Sequence, residues 1–337
     1  MAPLDSTTVY QQPPNAPGSV LMDSNVSGGV PYDPTYPAAV PYDPWSTGGG
    51  SGVYPNGTQP GIYGLNGPQP YRFNAWTERF DAFYMANAGT SSPNLGNFGM
   101  SGIDLNKDCP IPLSNNWVFT PGLDYGGRFL SGPNGGPKNS HLPGNMHRFG
   151  LGLKLATPLT YGWGLEGSIE PWIASDLQGK LTSKAYLFDG QLAALWQVSP
   201  QIMWIFGVSY WDRVDKIILP YGGLVWTPNE FWEFRLVFPK PRVTAFIGAP
   251  LGVPTWAYAS GEYHVEAYEV NSLAGATRND LVQFSDIRAM GGLRWETPRV
   301  TSFVEAGYVF DRKVKFGRHG GDFDINSGFM TRVGLRF

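Results

Sequence analysis

From about residue 72 onward, apolar and polar positions alternate along the chain with a period of two. The last segment is the clearest. Counting back from the end, Phe337, Leu335, Val333, Thr331, Phe329, Ser327, Ile325 and Phe323 share one face. Arg336, Gly334, Arg332, Met330, Gly328, Asn326 and Asp324 share the other. Successive side chains of a strand point to opposite faces, so this pattern predicts one long strand, apolar on one side and charged on the other. Soluble strands average 5–6 residues, and this one runs to about 15. Similar splits recur at 147–156, 161–170, 201–211, 230–238, 282–296 and 300–312. Long alternating strands with charges on one face fit a barrel that is apolar toward lipid and polar toward its lumen.

The breaks between these segments set the topology. Short proline-containing turns fall at Pro158, Ser199-Pro200, Thr227-Pro228-Asn229 and Thr297-Pro298. Longer polar or glycine-rich breaks fall at 131–145, 174–182, 271–281 and 313–322. That alternation is expected of periplasmic turns and extracellular loops. The break at Pro239-Lys240-Pro241 is short where a long one is due, so one outer connection must be tight. Twelve strands count back from Phe337 to about residue 115, and a hairpin at 78–87 and 95–106 makes fourteen. Trp76, Phe80, Phe83 and Tyr84 also fit helical spacing, with Asn74 as a cap, so a short helix competes with the first strand. The expected fold is an all-β, transmembrane, antiparallel up-and-down β-barrel of 14 strands, or 12. Either count leaves both termini on the periplasmic side of a bacterial outer membrane.

Composition agrees. Charged residues make up 15% of the 337-residue chain, against about 25% in soluble domains. Aromatics match them at 15%, beside 44 Gly. No apolar run reaches the ~18 residues of a transmembrane helix. The net charge of -3 offers no footprint for nucleic acid. A single cysteine, Cys109, excludes an internal disulfide framework. No basic and apolar leader follows Met1, so the sequence reads as a mature or re-engineered form.

Residues 1–70 stand apart from the barrel segment at 71–337. They hold 13 of the 30 prolines, four Asp and no Lys or Arg. Such a stretch cannot bury enough apolar surface to order itself, so a disordered Pro/Gly/Tyr-rich periplasmic extension is expected. Val-Pro-Tyr-Asp-Pro occurs twice in it, at Val30–Pro34 and Val40–Pro44. The repeat reads as a semi-stiff linker, or as a peptide that presents Tyr32 and Tyr42 to another envelope protein or a second copy.

Several short motifs carry a resemblance over roughly 78–337. They are Thr120-Pro121-Gly122, Trp211-Asp212-Arg213, Leu219-Pro220 running to Trp226-Thr227-Pro228, and Phe238-Pro239-Lys240-Pro241-Arg242. Trp256 with Tyr258, Gly261-Glu262, Asp286-Ile287-Arg288 and the run Glu305 to Arg312 complete the set. With these the chain resembles the uncharacterised outer-membrane β-barrel proteins of Gram-negative bacteria grouped under a domain of unknown function. The terminal Phe337 resembles the aromatic signal read by barrel-assembly machinery. The resemblance implies fold, location, outer-membrane lipid as surroundings and that machinery as a partner. It implies no activity.

Candidate chemistry lies on the polar strand faces. The predicted lumenal set begins with Asp124, Arg128, Arg148, Lys154, Glu166, Glu170, Asp189, Glu233 and Arg235. It continues through Glu262, His264, Glu266, Asp286, Arg288, Arg294, Glu296, Glu305, Asp311, Arg332 and Arg336. Both signs alternate on adjacent strands. Open, such a lining passes small polar solutes as charged channel linings do; closed, it pairs into a rigid scaffold. Arg288 and Arg294 are expected to face Glu305 and Asp311 across the turn at Thr297-Pro298, with Arg332 and Arg336 meeting the same acids from the last strand. His264 between Glu262 and Glu266 is best read as one histidine in a charged lumen. His147 lies at a strand start without an orienting partner, and His141 and His319 fall in loops. No catalytic residue, metal or cofactor is therefore expected. Two functions follow: a porin-like passive channel for small hydrophilic solutes, or a structural or assembly scaffold whose extension binds a neighbouring protein.

Overall fold

Strand periodicity prevails over most of the described residues. In a computed structural model covering residues 74–91, 94–133, 142–199, 201–229, 231–271, 279–297, 300–318 and 321–337, fourteen antiparallel strands close into a barrel. Residues 1–70 with Tyr32 and Tyr42, and the loop residues His141 and His319, lie outside the described residues. The strands are β1 (Thr77–Gly89), β2 (Asn97–Asp108), β3 (Val118–Ser131), β4 (Asn145–Ala156) and β5 (Trp163–Ser175). Next come β6 (Tyr186–Ser199), β7 (Ile202–Trp211), β8 (Ile217–Asn229), β9 (Trp232–Phe238) and β10 (Arg242–Gly248). The last four are β11 (Thr255–Val270), β12 (Asp280–Glu296), β13 (Thr301–Phe316) and β14 (Gly328–Arg336).

The ring shuts where β1 pairs with β14, from Arg79 opposite Arg336 to Met85 opposite Met330. Closure leaves no free edge at the seam, which a membrane-spanning sheet requires. It also settles the competition at residues 76–84. Phe80 has Leu335 on one side and Leu105 on the other, so ladder bonds to both neighbours outweigh the local helical spacing. Phe83 then faces inward and Tyr84 outward.

Both ends of the barrel meet at one rim, where the backbones of Glu78 and Phe337 hydrogen-bond each other. Turns at this terminal rim include 157–162 and 249–254, and most distal loops are longer. The outward face is apolar, with Leu123, Phe149, Leu165, Leu192, Phe206 and Phe329 all exposed. Near the terminal rim stand aromatic pairs such as Trp163 on Trp196 at 5.2 Å and Trp226 on Phe234 at 5.0 Å. Aromatic girdles mark the membrane interfaces of such barrels.

The last segment departs from its pattern. It is not one strand: Phe323–Ile325 forms a separate three-residue strand against Arg312–Val314 of β13. The chain leaves the ladder at Asn326, whose N–H donates instead to the Gly89 carbonyl at 2.8 Å. Phe323 and Ile325 consequently pack inside the barrel rather than toward lipid.

With this much apolar surface turned outward, the protein should stay in solution only with detergent. It should also migrate differently on gels before and after boiling. A monomer soluble in plain buffer is the result that would refute a membrane barrel.

Candidate functional site: the charged lumen

Alternation on each strand carries the charges inward. On β4, Phe149 and Leu151 point out while Arg148 and Lys154 point in. On β5, Leu165 and Ile169 point out while Glu166 and Glu170 point in. On β9, Trp232 and Leu236 are exposed, and Glu233 and Arg235 are buried. Asp124, Glu262, Asp286, Arg288, Arg294 and Glu296 occupy inward positions by the same rule.

Toward the terminal rim the inward charges pair within the wall. Arg336 on β14 reaches Asp81 on β1 at 2.8 Å, and Arg79 joins the same carboxylate at 2.5 Å. Arg336 was expected to meet Glu305 or Asp311; the closing strand supplies a nearer partner. Arg294 pairs with Glu296 on its own strand at 2.9 Å and lies over Trp256 at 5.5 Å. Arg242 lies 3.7 Å from Glu233.

At mid-height the pairs cross strands. Arg332 holds Glu305 at 2.5 Å from the directly opposed position on β14, and Tyr258 donates its hydroxyl to the same carboxylate at 3.0 Å. Arg332 also lies 3.5 Å from Glu262, which Lys240 meets at 3.0 Å. Arg288 does not reach Glu305. In register it faces Val309, so it turns back to Asp286 at 2.6 Å. His264 stands between Glu262 and Glu266 at 3.4 and 3.5 Å.

Asp311 corrects the predicted set. It has a positive φ of 50° and falls at the irregularity that shifts the β12–β13 register between Ser285 and Ile287. The extra residue flips every later side chain to the other face. Arg312 therefore points inward, over Phe98 at 5.9 Å, while Asp311 lies exposed beside Lys313 at 2.7 Å.

Above this level the walls join across the lumen. Arg128 on β3 binds Glu266 on β11 at 3.0 Å and Asp104 on β2 at 2.9 Å, and its guanidinium lies 5.0 Å over Phe83. Tyr268 donates its hydroxyl to Glu266 at 3.2 Å. Residues 265–270 of β11 are buried on both faces, because this end of the β11–β12 hairpin leans into the barrel. Glu269 bridges to Ser175 on β5, its carboxylate accepts from the Thr182 hydroxyl, and Asn271 N donates to Asp176 at 2.9 Å. The hairpin seats Tyr268, Val270, Val282 and Phe284 against Phe98, Met146, Trp172 and Leu187. The distal half of the lumen is thus largely filled.

Space remains within the lumen, chiefly on the β2–β8 side. Inward residues there keep real exposure: the side chains of Asp104 retain 29%, Arg148 23%, His264 16% and Asp189 15%. Lys154, Ser168, Glu170 and Gln191 are likewise only partly buried. Both signs of charge line this chamber. An apolar cluster of Ala193, Leu195, Met203, Ile205, Val225 and Val237 floors it toward the terminal rim. Sequence reasoning missed Asp81, Asp104, Arg242, Arg312 and Tyr258 as lumenal partners. Alternation could have found the first two, had the helical reading not competed in that hairpin.

The chain matches no known family profile and no curated protein. It is similar in fold to solved outer-membrane proteins. One is a TodX monoaromatic hydrocarbon channel mutant, 9% identical, covering 79% of this chain and 90% of that one, with a TM-score of 0.42. A second is an outer-membrane channel from Pseudomonas putida F1, 9% identical over 80% and 99% of the two chains, with a TM-score of 0.40. The NanC porin is 10% identical over 77% and 98%, with a TM-score of 0.34. At these values nothing about solute or mechanism carries over.

Proposed function

We propose that the protein is a bacterial outer-membrane channel for small hydrophilic solutes, with both termini on the periplasmic side. The partly exposed inward charges of both signs carry this reading. A purely structural barrel gains little from buried ion pairs, since apolar residues of similar volume would serve as well or better. Water-accessible charges of both signs at the centre of a membrane barrel suit the passage of ions and polar molecules. Phe337, at the open end of β14, is the proposed assembly signal. Residues 1–70, through Tyr32 and Tyr42, are the proposed contact for an envelope partner.

One observation favours the scaffold as a second reading. The inward-leaning hairpin and its apolar seat close the distal half in this state. Planar-bilayer recording of the refolded full chain separates the two. A channel should give discrete current steps with weak preference between cations and anions, because its lining mixes both signs. Absence of current above bilayer leak, at any voltage tested, would overturn the channel.

A further inference from the structure

The barrel wall is incomplete at one place. β9 and β10 have seven residues each, while the flanking β8 has 13 and β11 has 16. β8 meets β9 only from Gly222 onward, and β11 meets β10 only as far as Ser260. Two more backbone bonds tie Gly261 and Tyr263 to the turn, through the carbonyls of Pro241 and Pro239. Above them, no ladder among the described residues joins 217–221 of β8 to 265–270 of β11. Side chains close the gap instead. Trp211 stacks on Tyr263 at 6.2 Å, and Arg213, held by Asp189, donates to the Val265 carbonyl at 3.2 Å. In lipid, strand edges demand partners; here a loop and two rings supply them.

A groove of about 710 Å³ opens on the outer face at the foot of this gap. That volume is in the range of small-molecule sites, about 300–1,000 Å³. Its floor is Ala259, Gly261, Ala289 and Gly291, and its ridges are Leu236 and Tyr308, each about half exposed. Pro241 forms the end nearest the gap. The floor is two outward residues wide along each strand, about 7 Å. A helix, about 10 Å across, is too broad for it, whereas an extended hydrocarbon chain fits. Lys240, next to Pro241, extends from the turn to the inward Glu262 at 3.0 Å. A lysine whose side chain keeps 31% exposure therefore stands next to the residue that ends the groove, with its ammonium toward the lumen.

We infer that this groove binds one acyl chain of an anionic lipid from the surrounding leaflet, with the lipid's charged head at Lys240 in the gap between β8 and β11. The chain lies across the strands on the small-residue floor, and the head competes with Glu262 for the Lys240 ammonium. Bulk lipid would cover every outward face alike. A groove ending at a lysine selects for length and charge.

The test uses the full chain in proteoliposomes carrying a photoactivatable diazirine fatty acid, with a neutral diazirine monoacylglycerol as control. After illumination, cross-linked residues are mapped by mass spectrometry. Labelling should concentrate on Leu236 and Tyr308, with the anionic probe ahead of the neutral one. Lys240→Gln should lower anionic labelling about tenfold, the scale of one lost charge-assisted bond, and leave neutral labelling unchanged. Ala289→Trp, filling the floor, should abolish both. Each variant is checked for folding by its heat-dependent gel shift. Labels spread evenly over the outward strand faces would overturn the site, and equal anionic labelling of wild type and Lys240→Gln would overturn the assignment of the head. Neither result depends on whether the lumen conducts.

Discussion

Arg128→Met is expected to destabilise the barrel by about 3–5 kcal/mol, the cost of leaving buried charges without their partner. Arg128 is 1% exposed and Glu266 2%. Its Nε donates to both Glu266 oxygens at 3.1 and 3.0 Å, and its Nη1 reaches the carbonyls of Gly127 and Ile103. Among the described ion pairs no lysine or arginine other than Arg128 holds Glu266, and the His264 ring lies 3.5 Å away. The methionine keeps much of the volume over Phe83, so the loss reports the stranded carboxylate rather than a cavity. Urea unfolding in lipid vesicles measures it. Adding Glu266→Met should recover most of the loss, because an apolar pair can replace a buried ion pair at little cost. An additive double-mutant cycle would show that the two residues do not couple.

Glu305→Gln should cost toward the lower end of the same range, about 3 kcal/mol. Its carboxylate is almost fully buried, against Arg332 at 2.5 Å and the Tyr258 hydroxyl at 3.0 Å. Glu262, 3.5 Å from Arg332, remains to compensate part of the charge. The rim pair of Lys107 and Glu78 serves as internal control. It has a similar distance, 2.7 Å, but its side chains are 44% and 53% exposed, so Glu78→Gln should cost only about 0–1 kcal/mol. Equal small losses at both sites would mean that Glu305 is hydrated in the membrane and that the lumen is wetter than its packing indicates.

The pattern of alternating residues was enough to derive the barrel, a count of fourteen strands or twelve, and the inward side of most of the predicted charges. The reason is local. A strand has a period of two wherever it is placed, and a membrane forces the apolar set outward. Thus Arg148, Lys154, Glu233 and Arg294 were legible as inward from their neighbours alone. The same logic failed where one residue broke the period, at Asp311, and where the chain left the ladder, at Asn326. A bulge shows no composition signal, and its effect appears only through the partner strand.

Pairing belongs to the tertiary structure. Sequence placed Arg288 and Arg336 near Glu305, but register set Arg288 opposite Val309 and closure brought Asp81 to Arg336. Two further features depend on contacts between strands far apart in the chain. One is the lean of the β11–β12 hairpin, fixed by Arg128 reaching Glu266 from 138 positions away. The other is the gap above the Pro239–Pro241 turn. The sequence announces a short turn there, but only the lengths of β8 and β11 on either side make it an interruption of the wall. Local alternation determined most of the residues that face the lumen, whereas the neighbours given by closure, register and strand length decided how much of that lumen stays open.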